Sequence, residues 1–300
     1  MGRAGLLILR LEHHSMTTSI QPGTLYVVAT PIGNLQDISS RAIQVLREVD
    51  LIASEDTRHT RKLLNHLSIQ TSLTSYYREK EQHKARVLLE KLCQGQHIAI
   101  VSDAGTPGIS DPGSVLVRLA RDSGITVVPV PGPSALTTAL SAAGLEESSF
   151  YFGGFPPAKK TVRKKLFQQL ASLPCTLIFY ESPHRIKECL ADALAMLGNR
   201  QALLFRELTK LHEECLQGSL EEILDSLPGR VRGELVLIIR PDTITAEDRP
   251  ENTADLLRWY RDTRGASLKD AVKIIATDLG ISRSRLYQEA LSIWHEDKDR

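Results

Sequence analysis

SDAGTPGISDPG, running from Ser102 to Gly113, concentrates turn formers and small polar residues between two strongly apolar runs. Ahead of it, His97 to Val101 (HIAIV) reads as a buried strand. Behind it, Asp111, Pro112 and Gly113 read as a helix start, with a capping side chain followed by proline at the first helical position. The loop is therefore expected at the carboxyl end of a strand, where open α/β sheets bind their ligands. Gly105, Gly108 and Gly113 permit positive φ and close backbone approach, while Pro107 and Pro112 limit the conformations lost on binding. A rigid strand-to-helix turn without a ligand is the simpler alternative, but such connections need few residues and this one spends twelve.

Outward from the loop the same pattern repeats. Gly23 to Ala29 (GTLYVVA) predicts a first strand, followed by the loop TPIGNLQDIS and a helix from about Ser39 to Val49. Leu51 to Ser54 predicts a second strand, after which Glu55, Asp56, Thr57 and Arg58 gather polar groups at its end. A strand near Leu73 to Tyr77 and a helix from Lys80 to Leu92 continue an alternation that implies a mainly parallel sheet. Ile125 to Val130 leads into a third loop, PGPS (Pro131 to Ser134), capping a small-residue helix stopped by Gly144. Tyr151 to Phe155, followed by two prolines, marks entry into a second α/β domain. The expected division is a disordered extension at 1–22, α/β domains at 23–149 and 150–240, a polar linker at 241–250, and an all-helical module at 251–300.

Composition excludes several classes. With 37 Lys plus Arg against 36 Asp plus Glu, no global charge draws a polyanion, so any nucleic-acid site must come from local clustering. The four cysteines are scattered without a C-x-x-C pair, which fits reduced thiols in a cytoplasm and gives no metal signature; His184 and His212 lack partners at ligand spacing. No apolar run reaches the length of a membrane span, and the start, MGRAGLLILRLEHHSM, is too short in its apolar part for a signal peptide; a disordered extension, or a true start at Met16, is the expectation. Neither G-x-G-x-x-G nor a P-loop occurs, which disfavours NAD enzymes and ATPases.

Taken together, TLYVVATPIGNLQD, IASEDTRHTRKLL, VSDAGTPGISDPG, PVPGPSALTTALSAAG, FYESPHR and RELTKLHEE, in unbroken order, closely resemble the ribosomal-RNA-methylating branch of the tetrapyrrole-methylase superfamily. The resemblance covers about Gly23 to Ile239 and the tail. It implies two α/β domains of the tetrapyrrole-methylase type with S-adenosylmethionine in the cleft between them, and a cytoplasmic homodimer. It also implies 2′-O-methylation of a cytidine ribose in the decoding region of 16S ribosomal RNA, free or in the small subunit. Carried over by motif, Pro31 would face the cofactor, Asp103, Ala104, Gly105, Thr106 and Pro107 would line it from the central loop, Ser134 and Ala135 from PGPSA, and Tyr180 with Glu181 from the second domain.

The residues themselves point the same way. Methyl transfer from a sulfonium is chiefly a positioning task, and a ribose hydroxyl, a poor nucleophile, is helped by a base. The candidates are acids at strand ends, Glu55, Asp56 and Glu181, with Glu207 beside Lys210; a salt bridge is the plain alternative for each. Arg58 and Arg206 read as phosphate or carboxylate partners. Lys159, Lys160, Arg163, Lys164 and Lys165 place five cations in seven residues; a solvated helix face is the ordinary reading, RNA phosphate binding by Lys160, Arg163 and Lys164 the functional one. The tail from Ser267 to Trp294 resembles a helix-turn-helix, yet residues 251–300 carry nine cations and nine anions, so docking and RNA contact stay equally open. Two other readings remain: a tetrapyrrole methylase of the same fold, and a non-catalytic RNA-binding protein.

Overall fold

The structure, a computed structural model, describes residues 21–145, 149–241, 252–262 and 265–295. The expected N-terminal extension, up to residue 20, and the linker from residue 242 lie outside the described residues. The chain divides into two compact units at Pro241.

Five parallel strands open the first unit: β1 (Thr24–Val28), β2 (Leu51–Ser54), β3 (Leu73–Ser75), β4 (Ile98–Val101) and β5 (Thr126–Val130), in the order β3-β2-β4-β1-β5. Both faces are covered, so β4 is buried along its whole length and reads as a continuous apolar run rather than an alternating one. The helices between strands follow local signals. α1 (Ser40–Glu48) starts where the Ala42 amide donates to Ser39 Oγ at 3.1 Å, and it buries Ala42, Val45 and Leu46. α2 (Thr57–His66) is capped by Asp56, which accepts from the Arg58 amide at 2.8 Å.

The helix behind the central loop departs from expectation. α4 (Ser114–Asp122), which follows α3 (Glu81–Cys93), begins after Gly113 at φ +144°, and no side chain caps it at that residue. Its amides are satisfied from α3 and from Tyr76, the residue after β3, instead. Glu81 Oε1 accepts from the Gly113 amide at 2.9 Å, and the buried Tyr76 hydroxyl accepts from the Leu116 amide at 3.2 Å. Asp111 is thereby released from the cap.

After α5 (Ala135–Ala142) a second, mixed sheet follows: β6 (Phe150–Phe152), β7 (Thr176–Glu181), β8 (Gln201–Arg206), β9 (Glu214–Ser219) and β10 (Leu235–Ile239), ordered β6-β7-β10-β8-β9. β10 enters between β7 and β8 antiparallel to both, and β6 alone pairs parallel. Alternation decides what each face meets. Leu177, Phe179, Leu235, Leu237 and Ile239 pack with the helices of this half, α6 (Lys160–Leu170), α7 (Ile186–Leu197) and α8 (Leu220–Ser226). Ile178, Val236 and Ile238 point the other way, onto Ile32, Leu136 and Ala139 of the first half. The small residues of α5 thus lie against the second sheet, and the two sheets form one body.

The second unit is a three-helix cluster, α9 (Thr253–Asp262), α10 (Leu268–Asp278) and α11 (Arg283–His295), around Leu257, Val272, Ile275, Leu286 and Ile293. Ser267 Oγ accepts from the Asp270 amide at 3.2 Å as a cap, and Gly280 turns the chain with φ +64°.

One expectation fails in the basic run. Arg163 is 1% exposed, its Nε bonded to Asp192 Oδ2 at 2.9 Å and a terminal nitrogen 2.7 Å from the same oxygen, joining α6 to α7. A guanidinium buried in this way is not available to RNA phosphate, so Arg163 is a structural residue; Lys159, Lys160 and Lys165 are the exposed members of the run. Truncating Arg163 to Met leaves the Asp192 carboxylate buried without its partner, at a cost of about 3–5 kcal/mol in urea denaturation. The double variant Arg163→Met with Asp192→Leu should recover most of that loss.

Candidate active site

Because β1 and β4 are neighbours in a parallel sheet, the loops leaving their carboxyl ends emerge side by side. They are stitched together by backbone. The Thr30 amide donates to Gly105 O at 2.9 Å, the Gly105 amide donates back to Thr30 O at 3.0 Å, and Thr30 Oγ1 donates to Ser102 O at 3.0 Å. Gly105 adopts φ +83°, which strains any residue bearing a Cβ. The third loop joins through Thr106 Oγ1, which donates to Pro133 O at 3.2 Å. From the second sheet, the Tyr180 hydroxyl accepts the Leu136 amide at 3.0 Å, capping α5 in place of the Ser134 side chain, which makes no such bond.

These loops and the second sheet enclose a cavity of ≈ 420 Å³, within the size range of small-molecule sites. Of the expected cofactor residues, Asp103, Ala104, Gly105, Thr106, Ser134, Ala135 and Tyr180 line it, as do Glu55 and Glu181. Pro31 and Pro107 do not; both are buried, and Ile32 takes the wall position expected of Pro31. Asp56 lies outside the wall as well, but its amide donates to Asp103 Oδ1 at 3.0 Å and so orients that carboxylate. Sequence reasoning missed Asp111, Phe155 and the Gly233 to Val236 segment. The last comes to the cavity only because β10 is inserted at the centre of the second sheet.

The acids at the site differ sharply in environment. Asp56 is held below the usual carboxylate range by hydrogen bonds from Arg58, whose own side chain is 89% exposed. Glu181 is almost wholly buried, one oxygen accepting from the Ser182 amide at 2.7 Å and the other 3.1 Å from the Arg185 guanidinium, an anchoring arrangement. Asp111 is pushed up to about 6 by burial, with the nearby Asp103 charge adding to the shift and the Ser102 hydroxyl and Arg78 opposing it. Burial likewise raises the Tyr180 phenol.

A second clamp closes the side formed by the second sheet. Lys210 Nζ bridges Glu207 at 2.8 Å and Glu234 at 2.7 Å, while Glu207 and Thr209 both hold positive φ, at +54° and +67°. The Asn34 amide donates to Thr209 Oγ1 at 3.1 Å, and Gly33 passes so close that a Cβ there would lie 2.4 Å from Lys210 Cγ. Glu207 and Lys210 are therefore a structural ion pair, and Arg206 is likewise paired, with Glu214 at 2.7 Å.

The profile of tetrapyrrole (corrin/porphyrin) methylases matches residues 24–224. Ribosomal RNA small subunit methyltransferase I of Escherichia coli O157:H7 is 47% identical over 285 residues, spanning 93% of this chain and 98% of that protein. The protein of the same name from Halalkalibacterium halodurans is 44% identical over 287 residues, 92% and 96%. The chain belongs to the ribosomal RNA small subunit methyltransferase I family. Its fold is that of the wider tetrapyrrole methylases: a uroporphyrin-III C-methyltransferase from Thermus thermophilus, solved with S-adenosylhomocysteine, superposes with TM-score 0.53 at 19% identity, over 72% of this chain and 97% of that one. At 19% identity that likeness shows the fold alone, and function rests on the chemistry of the site.

Asp111 gives a pH-dependent test of the site. Its folded value lies above the unfolded one near 3.8, so the folded state carries an ionisation cost that is complete above about pH 6 and disappears towards pH 4. Asp111→Asn should therefore stabilise the free protein at pH 7.5 by about 1–2 kcal/mol, after allowance for partial solvent screening, and by almost nothing at pH 4. Urea denaturation at the two pH values measures the difference.

Proposed function

We propose that this chain methylates the 2′-oxygen of a cytidine ribose in the decoding region of 16S ribosomal RNA, with S-adenosylmethionine as methyl donor, as a cytoplasmic homodimer. The observation that carries the reading is 44–47% identity, over more than nine-tenths of the chain, to relatives named for methylating small-subunit ribosomal RNA. A corrin-type substrate has in its favour the broad tetrapyrrole-methylase family match and a fold likeness at 19% identity, well below the identity of these relatives. No helix among the described residues is long and apolar enough to cross a membrane.

The cavity suits the donor chemically. Glu55, Asp103, Asp111, Glu181 and Glu234 bring carboxylates to a wall whose apolar part is built of Ile32, Ile109, Phe155, Leu208 and Val236, a combination that favours a ligand with cationic and aromatic parts. When bound, S-adenosylmethionine supplies an already electrophilic methyl group. The protein's work is then to hold the ribose oxygen in line, exclude water and take up a proton. Gly105 lets the backbone approach the ligand, and the Thr30–Gly105 pairing fixes that approach. The proton is assigned to Asp111, whose place in the wall and value near 6 suit a base working close to neutral pH. Glu55 is the other wall carboxylate in a position to serve. Lys160 and Lys164, with Arg58 across the first half, are proposed to meet RNA phosphates; Lys164 is the weaker candidate, since its Nζ lies 3.8 Å from Asp192.

Two measurements test this. Gly105→Val should abolish detectable S-adenosylmethionine binding by calorimetry while leaving a folded protein, since the positive φ is lost and the added bulk approaches Ile32; unchanged affinity moves the cofactor elsewhere. Asp111→Asn, assayed on small subunits at saturating cofactor and RNA, should lose about 10²–10⁴ in kcat with cofactor affinity changed only a few-fold, and the parent should show an acid limb in kcat at or below pH 6. If Glu55→Gln shows that signature and Asp111→Asn does not, the base is Glu55.

A further inference from the structure

In the second unit, a groove of ≈ 590 Å³ runs between α10 and α11. Lys269 and Lys273, one helical turn apart, line it from α10; Arg283, Ser284, Tyr287 and Gln288 line it from α11. All six side chains are solvent-exposed, and no acid is among the lining residues.

Charge in this unit is balanced in number but sorted in space. Four acids of the unit are engaged elsewhere: Asp255 by Arg258 at 3.0 Å, Asp262 by Arg261 at 2.6 Å, Asp270 by the Ser267 hydroxyl at 2.6 Å, and Glu289 by the Thr253 hydroxyl at 2.9 Å. Among the described residues Arg283 reaches only the Thr277 hydroxyl, at 3.5 Å, and neither lysine has an ionic partner. Like charges at this spacing on one helix repel, and a third cation faces them across the groove. The arrangement is relieved by a polyanion. Tyr287 adds a ring for a base to stack on, and Ser284 and Gln288 add neutral donors for ribose or base edges.

We propose that the α10–α11 groove is a second RNA-binding site, clamping the phosphodiester backbone of a single-stranded or looped segment with Lys269, Lys273 and Arg283 while Tyr287 stacks on a base. Its identity as an RNA site rests on the ribosomal RNA reading above, whereas its chemistry as a polyanion site stands on the groove itself. The groove supplies affinity and register on the substrate and takes no part in methyl transfer.

The test uses the full chain. Lys269→Ser, Lys273→Ser and Arg283→Ser are combined, and a second variant carries Lys269→Arg with Lys273→Arg. Binding to a fluorescein-labelled 12-nucleotide single-stranded RNA is titrated between 50 and 300 mM salt, and methylation is followed on purified small subunits. Three lost phosphate contacts should lower the slope of log affinity against log salt by about 2. The triple variant should raise KM for subunits at least tenfold, with kcat at saturation within twofold of the parent and cofactor affinity unchanged by calorimetry. The arginine variant should keep the parent slope, and Tyr287→Ala should weaken binding without changing the slope. An unchanged slope and KM in a triple variant with parental helix content overturns the site, and leaves the groove to a protein partner or to solvent. A parent that binds cofactor but neither binds this RNA in a salt-dependent way nor methylates subunits overturns the ribosomal RNA reading instead.

Discussion

The reciprocal pair of hydrogen bonds between Thr30 and Gly105 is the contact on which the site depends. It is a single antiparallel bridge formed beyond the ends of two parallel strands. Parallel neighbours release their chains at the same edge and give the loops no further reason to stay together, since ladder pairing ends with the strands. Here the bridge extends the pairing by one step in the opposite sense. That step requires φ +83° at Gly105, which is why glycine stands at the centre of a loop otherwise stiffened by proline. Thr30 Oγ1 then satisfies Ser102 O, so the backbone turns away from the sheet without leaving that buried carbonyl unpaired.

Two helices behind the ligand loops are capped from a distance by tyrosine. Tyr76 reaches the Leu116 amide across 40 positions of sequence, and Tyr180 reaches the Leu136 amide across 44. A local cap would have to come from a loop residue, and at both sites that residue then could not face the ligand. Moving the cap to a distant phenol leaves Asp111 and Ser134 in the cavity wall. Tyr180, on β7, also couples the start of α5 to the second sheet, so α5, whose small residues make close contact with that sheet, is fixed to it at its end as well as along its face.

Long-range capping also explains what could be read from the sequence. The three strand-loop-helix sites were legible because glycine, proline and apolar runs act locally, and the central loop, PGPS and Tyr180 do converge on one cavity. The role of Asp111 was not, because Asp-Pro-Gly before an apolar run carries every local mark of a helix start. What overrides it is Gly113 at φ +144° and a glutamate in α3, neither of which a local pattern weighs. The position of β10 was hidden for a similar reason. LVLII is apolar on both faces, so it reads equally well as an edge-adjacent or a central strand, and only pairing decides between them.

Charge shows the same limit from the other side. Arg163 and its neighbouring lysines share one run with no acid among them, yet the helix period divides their fates. Position 163 falls on the buried face with Phe167 and Leu170, and α7 supplies Asp192 to meet it. Arginine suits that place because a planar fork can satisfy one carboxylate and backbone carbonyls together; here Pro157 O and Ala158 O complete the set. Lys159, Lys160 and Lys165 fall on the outer face, where their charge remains available to a partner. In the second unit the sorting is carried further, with Asp255, Asp262, Asp270 and Glu289 engaged away from the groove, so a module of zero net charge still presents a cationic surface. Net charge therefore says little about what such a unit binds, and the pairing of its acids says much more.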